Sequence, residues 1–339
     1  MSGFRKPETG DAHSILFFLT PEIEYLTLMI LVFCGTPRFA VPTLEKLVEG
    51  GHSVPLVVTQ PDRPRGRGME LTISPVKGSA VRLGIQVIQP GKIKNNEEFR
   101  QQLSELRPDA IIVVGYGRII PQWMIDLPRF GNLNLHASLL PKYRGAAPIQ
   151  WAIAQGESVT GATTMRIDAG IDTGDILMQR ELPIAADDTA ETLGPKLAII
   201  GAGLMVETLR GLESAQIRST PQDHAKASLA PILTKEDGRI DFQRTATEIF
   251  NRLRGFQPWP GGHTLFRERQ LQVHRAHPVD QSVRLAPGQI SVESTRLLAG
   301  CGSATTLEVI ELQLEGKRRM SARDFINGYQ PQPGEKLGQ

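Results

Sequence analysis

Cysteine is nearly absent from this 339-residue chain: Cys34 and Cys301 are the only two, and they lie far apart. That excludes a disulfide framework and a Cys-ligated zinc module, and it fits a reducing compartment. An excess of one charge is missing too, with 38 Lys and Arg set against 36 Asp and Glu for a net +2. Such balance gives no global field to draw in nucleic acid, so any such contact must come from a local basic patch. No apolar run is long enough to read as a bilayer span, and the expectation is a cytoplasmic chain with no membrane partner. Neither G-x-G-x-x-G nor G-x-x-x-x-G-K-[ST] occurs, which removes the fingerprints of dinucleotide and P-loop nucleotide binding. Internal repeats and low-complexity segments are lacking as well.

What is present is globular in character, with 40% hydrophobic and 22% charged residues. The length suits about two domains and buries a sizeable core. Residues 1–28 hold a short apolar burst, Ile15 to Leu19, followed by Pro21, Glu22 and Glu24. The burst is too short for a secretory signal, and the acidic residues argue against a transit peptide. Met29 then precedes I-L-V-F-C-G-T-P. The expectation is a native start at Met29, with residues 1–28 an extension carrying no recognisable chemistry.

From Ile30 onward, fully apolar runs alternate with segments of helical spacing: Ile30 to Phe33, Val54 to Val58 and Ala110 to Val114 read as strands buried on both faces. Val41 to Gly50 and Glu97 to Leu106 read as helices, Val81 to Ile88 contains a strand, and Gly131 to Leu135 is the next one. The class is therefore α/β with a mostly parallel sheet. Thr160 to Ile167 and Ile176 to Leu182 suggest a hairpin, and Thr189 to Leu209 a long helix despite Gly194-Pro195. Beyond a polar stretch come one helix, Ala246 to Leu253, and short strands broken by Pro and Gly, the pattern of a small β-barrel. The expected division is a first domain at residues 29–211, a linker at 212–231, a barrel domain at 232–330 and a tail at 331–339.

The run G-N-L-N-L-H-A-S-L-L-P, Gly131 to Pro141, carries the chemistry. In a strand, residues two apart share a face, so Asn134 and His136 emerge side by side at a strand end. An amide donor beside an imidazole suits acyl transfer: one holds a developing oxyanion, the other moves protons near neutral pH. The bland alternative is a buried Asn and a satisfied core His, and the flanking S-L-L-P and the later D-A-G-I-D-T-G-D weigh against it. Asp172 in that second motif would supply a carboxylate to fix the tautomer and stabilise imidazolium. Asp168 and Asp175 read as turn-capping residues. A metal ion would need more oxygen ligands than this loop offers, and the spacing is not that of a calcium loop, so no metal is expected. Gly35-Thr36-Pro37 reads as a tight turn rather than a phosphate cradle.

These segments, with F-C-G-T-P-R-F-A-V-P, T-Q-P-D-R-P-R-G-R-G, S-P-V-K, G-Y-G-R-I-I-P, Q-P-W-P and G-K-R-R-M-S-A-R-D-F, resemble the formyltetrahydrofolate-dependent transferase family from Met29 to about Tyr329. The arginine-rich loop and the C-terminal part narrow the likeness to the branch that acts on tRNA. The resemblance implies a Rossmann-like catalytic domain with a smaller C-terminal β-barrel domain that helps hold tRNA. It also implies a monomer that transfers a formyl group from 10-formyltetrahydrofolate to the α-amino group of methionyl initiator tRNA in translation initiation. It assigns catalysis to Asn134, His136 and Asp172. Folate binding falls to Ser138, Leu139, Leu140 and Pro141, with Val113 to Gly117 lining the pteridine pocket. RNA binding falls to Arg63 and Arg67, with Lys317 and Arg318 as a second cluster.

Read from the residues alone, Arg63, Arg65 and Arg67 would be a solvated surface loop, although the intervening Pro and Gly suit an extended strand of chain that tracks an RNA backbone. Met69-Glu70 departs from the family's basic pattern and weakens the local positive field. Trp259, between two prolines, reads as a buried anchor at the domain junction, with stacking on a base as its alternative. Rival functions are formyl transfer to a small amine, formyltetrahydrofolate hydrolysis, and a non-catalytic RNA-binding module. The joint presence of Asn134, His136 and Asp172 counts against the last.

Overall fold

The structure, a computed structural model, describes residues 28–65, 70–280 and 284–338. Arg67 and the extension up to residue 27 lie outside the described residues.

The first unit runs β1 (Ile30–Gly35), α1 (Val41–Glu49), β2 (Ser53–Val58), β3 (Arg63–Arg65), β4 (Glu70–Thr72), α2 (Pro75–Arg82), β5 (Gln86–Ile88), α3 (Glu97–Leu106), β6 (Ala110–Val114), α4 (Gln122–Ile125) and β7 (Asn132–His136). It continues through α5 (Pro148–Ala154), β8 (Val159–Arg166), β9 (Ile176–Pro183) and α6 (Ala190–Glu213). A seven-stranded sheet has the order β5-β2-β1-β6-β7-β8-β9. Its first five strands pair in parallel, and β8 and β9 join antiparallel as a hairpin. Successive residues of β1 serve opposite faces: Leu31 and Phe33 pack with Leu44, Leu47 and Leu204, while Val32 and Cys34 pack with Leu103 and Met124. That two-sided burial is why the strand sequence is apolar without alternation.

From β1 the chain steps outward to β2 and β5, then returns to the other side of β1 for β6 and β7. The reversal opens a crevice at the carboxyl ends of β1 and β6, where open α/β sheets take their ligands. Two features differ from the sequence reading. α2 was not foreseen; Ser74 caps it, its side chain accepting from the Lys77 amide, and Pro75 opens it. α6 is, by length and composition alone, apolar enough to cross a membrane, although no uninterrupted apolar run announces it. Here Leu193, Leu197, Leu204, Met205 and Leu209 are buried in the core.

The second unit comprises α7 (Ala246–Gly255), β10 (Gly262–Phe266), β11 (Arg269–Val279), β12 (Ile290–Glu293), β13 (Arg296–Gly300), β14 (Thr306–Leu314), β15 (Met320–Ser321) and α8 (Ala322–Tyr329). The antiparallel strands run β10-β11-β14-β13-β12, with β15 on β14. A second helix, α8, was not anticipated; the Ser321 hydroxyl caps it at the Asp324 amide. The expected tail is part of the fold. The Gly338 amide donates to Leu265 of β10 at 2.9 Å, and the Ile290 amide of β12 donates to Glu335 at 2.9 Å. Residues 335–338 thus bridge the two edges that the strand path leaves open, which protects them from stray pairing.

α7 packs on α5 where the units meet. Trp151 meets Phe256 edge-on at 5.2 Å, the Arg252 guanidinium lies over both rings, and the Trp151 indole donates to the Pro231 carbonyl. Gly255 is required there: a Cβ would sit 2.7 Å from the Gln150 carbonyl oxygen. Trp259, expected as the buried anchor, is 56% exposed. Trp151 holds the junction instead, because it lies on a helix that packs against α7 while Trp259 lies in the turn after α7.

Candidate active site

The three side chains expected to act together do meet. β7 turns Leu133 and Leu135 into the core with α6, and Asn132, Asn134 and His136 to the other face. Asn132 is structural, its amide donating to the Met124 and Ile125 carbonyls. Asn134 and His136 follow toward the carboxyl end of the strand. Asp172 reaches them from the loop between β8 and β9. Its Oδ2 stands 3.6 Å from His136 Nδ1, and its Oδ1 lies 3.5 Å from Asn134 Nδ2.

The imidazole is 6% exposed. Its Nε2 lies 2.8 Å from the Tyr143 carbonyl oxygen. A carbonyl only accepts, so Nε2 carries a hydrogen and Nδ1 is the nitrogen left to exchange protons. The tautomer is therefore set by the Tyr143 backbone and not, as the sequence suggested, by Asp172. Asp172 is held at φ +51°, a left-handed conformation that costs a non-glycine residue roughly 1–3 kcal/mol and that Asp tolerates better than most. The Gly145 amide secures its Oδ2 at 2.8 Å. Asp168 caps the loop, accepting from the Gly170 amide and the Thr173 hydroxyl. Gly174 is needed for close approach, since a Cβ would fall 2.0 Å from the Arg166 carbonyl oxygen.

Residues 138–141 wrap the end of β7. Ser138 and Leu140 are buried, while Leu139 and Pro141 are half-buried at the rim. The Ser138 hydroxyl is committed to the Lys142 carbonyl at 2.6 Å. Thr163, opposite His136 on β8, donates to the Ser138 carbonyl at 2.6 Å and accepts the Leu140 amide at 3.1 Å. Gln179 donates to the Leu140 carbonyl at 2.8 Å. Across the crevice, Gly115 and Gly117 follow β6 with φ +56° and +72°, and Gly115 is packed against Pro37 of the turn after β1. Both glycines are exposed, Tyr116 between them is buried, and Ile119 beyond is 86% exposed.

The arginine loop begins as a two-stranded hairpin rather than a free loop, with Arg63 paired to Thr72 and Arg65 to Glu70 in register. Arg63 is exposed. The base of the hairpin is fixed to the first unit: Lys77 bonds Asp62 at 2.5 Å and Gln89 at 2.7 Å, and Gln89 donates to Asp62 at 2.9 Å. The Lys77 and Gln89 bonds hold the Asp62 carboxyl below its ordinary pKa. Lys317 and Arg318 lie exposed in the turn between β14 and β15, in the second unit. A cleft of about 870 Å³ also lies in that unit, lined by Lys235, Arg239, Arg244, Arg252 and Lys336 among others, and shares no residue with the Asn134 set. Among the described residues no group of three or more His, Cys, Asp or Glu is placed to hold a metal ion.

Sequence reasoning missed Tyr143, Gly145, Thr163, Gln179, Arg144 and Gln222. Tyr143 acts through its carbonyl and leaves no mark in residue type. Gly145 acts through its amide, and its mark is glycine itself, since at φ +122° a Cβ would lie 2.6 Å from the Ala230 carbonyl oxygen. Thr163 had a signal: on a hairpin strand beside β7 it falls opposite His136.

A model of the formyl transferase family matches residues 28–209, and a model of the formyl transferase C-terminal domain matches residues 232–330. The methionyl-tRNA formyltransferase of Koribacter versatilis is 66% identical over 310 residues, covering 91% of this chain and 99% of that protein. The methionyl-tRNA formyltransferase of Acidobacterium capsulatum is 61% identical over 310 residues, covering 91% of this chain and all of that one, 100%. Among solved structures, an N-formyltransferase from Helicobacter canadensis, in complex with folinic acid and dTDP-3-aminofucose, superposes with a TM-score of 0.62 at 19% identity. It covers 84% of this chain and 99% of its own, a likeness of fold.

Proposed function

The chain belongs to the formyl transferase family, and from that premise we infer that it transfers a formyl group to the α-amino group of the methionine carried by initiator tRNA. The observation that carries this reading is the 66% identity to a methionyl-tRNA formyltransferase across 91% of the chain, both units included. A small-amine formyltransferase or a hydrolase has no need of the arginine hairpin.

The donor proposed is 10-formyltetrahydrofolate, which supplies the formyl carbon. The crevice fits its flat pteridine: exposed backbone at Gly115 and Gly117 offers amide groups, and Leu139, Pro141 and Ile119 offer apolar rim. The proposed roles follow from the geometry. Asn134 Nδ2 donates to the formyl oxygen as the amine attacks and charge gathers there. His136, with Nε2–H tied to Tyr143, presents Nδ1 toward the reacting centre and carries a proton to the departing nitrogen. Asp172, 3.6 Å from Nδ1, balances the imidazolium and takes a proton from the amine nitrogen once it has bonded to the formyl carbon. His136 passes that proton to the departing folate nitrogen as the C–N bond to it breaks. Arg63 and Arg67, with Lys317 and Arg318, are proposed to meet tRNA phosphates.

The test is to incubate the protein with labelled formyl donor and charged initiator tRNA. Label should appear on the methionyl amine. Label released as formate, or passed only to a small amine, would overturn the reading.

A further inference from the structure

We propose that Gln222, clamped by Arg144, is a positioning residue that keeps the Asp172 carboxylate aligned on His136; this deepens the formyl-transfer reading and rests on it. Gln222 lies in the polar stretch that the sequence presents as a linker, yet it is 5% exposed and sits against the active-site loop. Its Nε2 donates to the backbone carbonyls of Asp172 at 3.0 Å and Gly174 at 2.7 Å. Its Oε1 accepts from Arg144 Nε at 3.0 Å and Nη2 at 2.7 Å. Carbonyls only accept and a guanidinium only donates, so the amide can face only one way, and all of its hydrogen-bonding capacity is used.

Arg144 is itself fixed. It is 8% exposed, its Nη1 donates to His224 Nδ1 at 3.2 Å, and its backbone bonds Ser228 and Ala230 at 2.9 and 2.7 Å. Its chain neighbours do the rest: the Tyr143 carbonyl holds the imidazole and the Gly145 amide holds the carboxylate. One short segment therefore sets both partners. It fixes the Asp172 side chain directly and the Asp172 backbone through Gln222. The backbone grip matters because Asp172 is in the left-handed region, and relaxing to ordinary φ would swing its carbonyl away from Gln222. Misplacing a reacting group by about 1 Å can cost ~10²-fold in rate.

The test compares the full-length wild-type chain with Gln222→Glu and Gln222→Met. Glu keeps the acceptor for Arg144 but loses both donors to the loop; Met keeps the length alone. We expect kcat with methionyl-tRNA to fall ~10- to 100-fold while KM for the formyl donor holds within about twofold, since Thr163 and Gln179 anchor the segment at residues 138–141 independently. Amide hydrogen exchange supplies a readout apart from activity. Exchange at Gly145 should quicken, while Leu140, bonded to Thr163, stays as protected as in wild type. A folded variant with near-normal kcat and unchanged Gly145 exchange overturns the proposal. Failure of both variants to fold overturns it too, by giving Gln222 a purely structural task. If wild-type protein transfers no formyl group, the functional reading falls, and Gly145 exchange still reports whether Gln222 holds Asp172.

Discussion

Asp172 Oδ2 stands 3.6 Å from His136 Nδ1 and 2.8 Å from the Gly145 amide. The first distance is longer than a hydrogen bond and the second is an ordinary one. The carboxylate is thus parked on the backbone beside the imidazole, leaving a gap that an incoming amine or a proton on Nδ1 can close.

That gap predicts that the two groups act as a pair. His136→Ala or Asp172→Asn should each cut kcat by about a hundredfold or more, within the ~10²–10⁴ range of acid–base contributions. Donor binding should change little. Steady-state kinetics on the His136→Ala variant settle the point, and near-normal turnover would remove His136 from the chemistry.

Thr163 should matter for the donor rather than for proton transfer. Thr163→Val keeps the shape but strips one hydroxyl from the Ser138 carbonyl, the Leu140 amide and Gln179. Leaving the buried Ser138 carbonyl and Leu140 amide unpaired costs ~1–3 kcal/mol each, while Gln179 keeps its bond to the Leu140 carbonyl. The variant should raise KM for the formyl donor and lower the urea midpoint, with kcat at saturating donor close to wild type. A fall in kcat alone would contradict this.

Asp188 makes stability depend on acid. Burial alone would push its carboxyl up. The Lys196 ammonium at 2.7 Å, the Ala185 amide at 2.9 Å and the Thr192 hydroxyl at 2.8 Å outweigh burial and hold the pKa below its ordinary value. A folded pKa below the unfolded one means the carboxylate stabilises the fold above the unfolded value of about 3.9. That stabilisation is lost as pH falls through the folded value. Asp188→Asn should therefore cost roughly 1–3 kcal/mol at pH 7, below the full cost of breaking a buried pair because Lys196 stays half-exposed. Denaturation at several pH values should show the gap between variant and wild type narrowing below about pH 4. A constant gap would assign the effect to packing.

Neutralising Arg63 and Arg67 together should weaken tRNA use and flatten its salt dependence, with each lost phosphate contact lowering the slope by about one. Donor KM should not move, since Asp62 at the base of the hairpin bonds Lys77 and Gln89 and the segment at residues 138–141 is held instead by Thr163 and Gln179. Glu70→Lys should have the opposite effect on tRNA binding. Unchanged tRNA kinetics across the salt range would point to another RNA surface.

The sheet was legible because burial on both faces leaves uninterrupted apolar strands, as in Ile30 to Phe33 and Ala110 to Val114. The long helix was legible over Thr189 to Leu209, and the structure opens it with a capping box between Thr189 and Thr192. α2 was passed over because Gly78 interrupts it, and α8 because Gly328 falls in its last turn, a residue type that disfavours a helix. Trp259 was misplaced because a large aromatic ring between prolines says nothing about which way the turn faces.

By itself the sequence determined the layered α/β class, the shared face of Asn134 and His136, and the family to which the chain belongs, all of them properties of residue type and local spacing. Only the tertiary structure decided which nitrogen of His136 is free, where the Asp172 carboxylate rests, and that Gln222, 50 residues along the chain, grips the Asp172 backbone. Those facts rest on main-chain carbonyls and amides of Tyr143, Gly145 and Asp172. Every residue carries such groups, so the order of residues cannot single them out; the fold does so by bringing them within hydrogen-bonding distance.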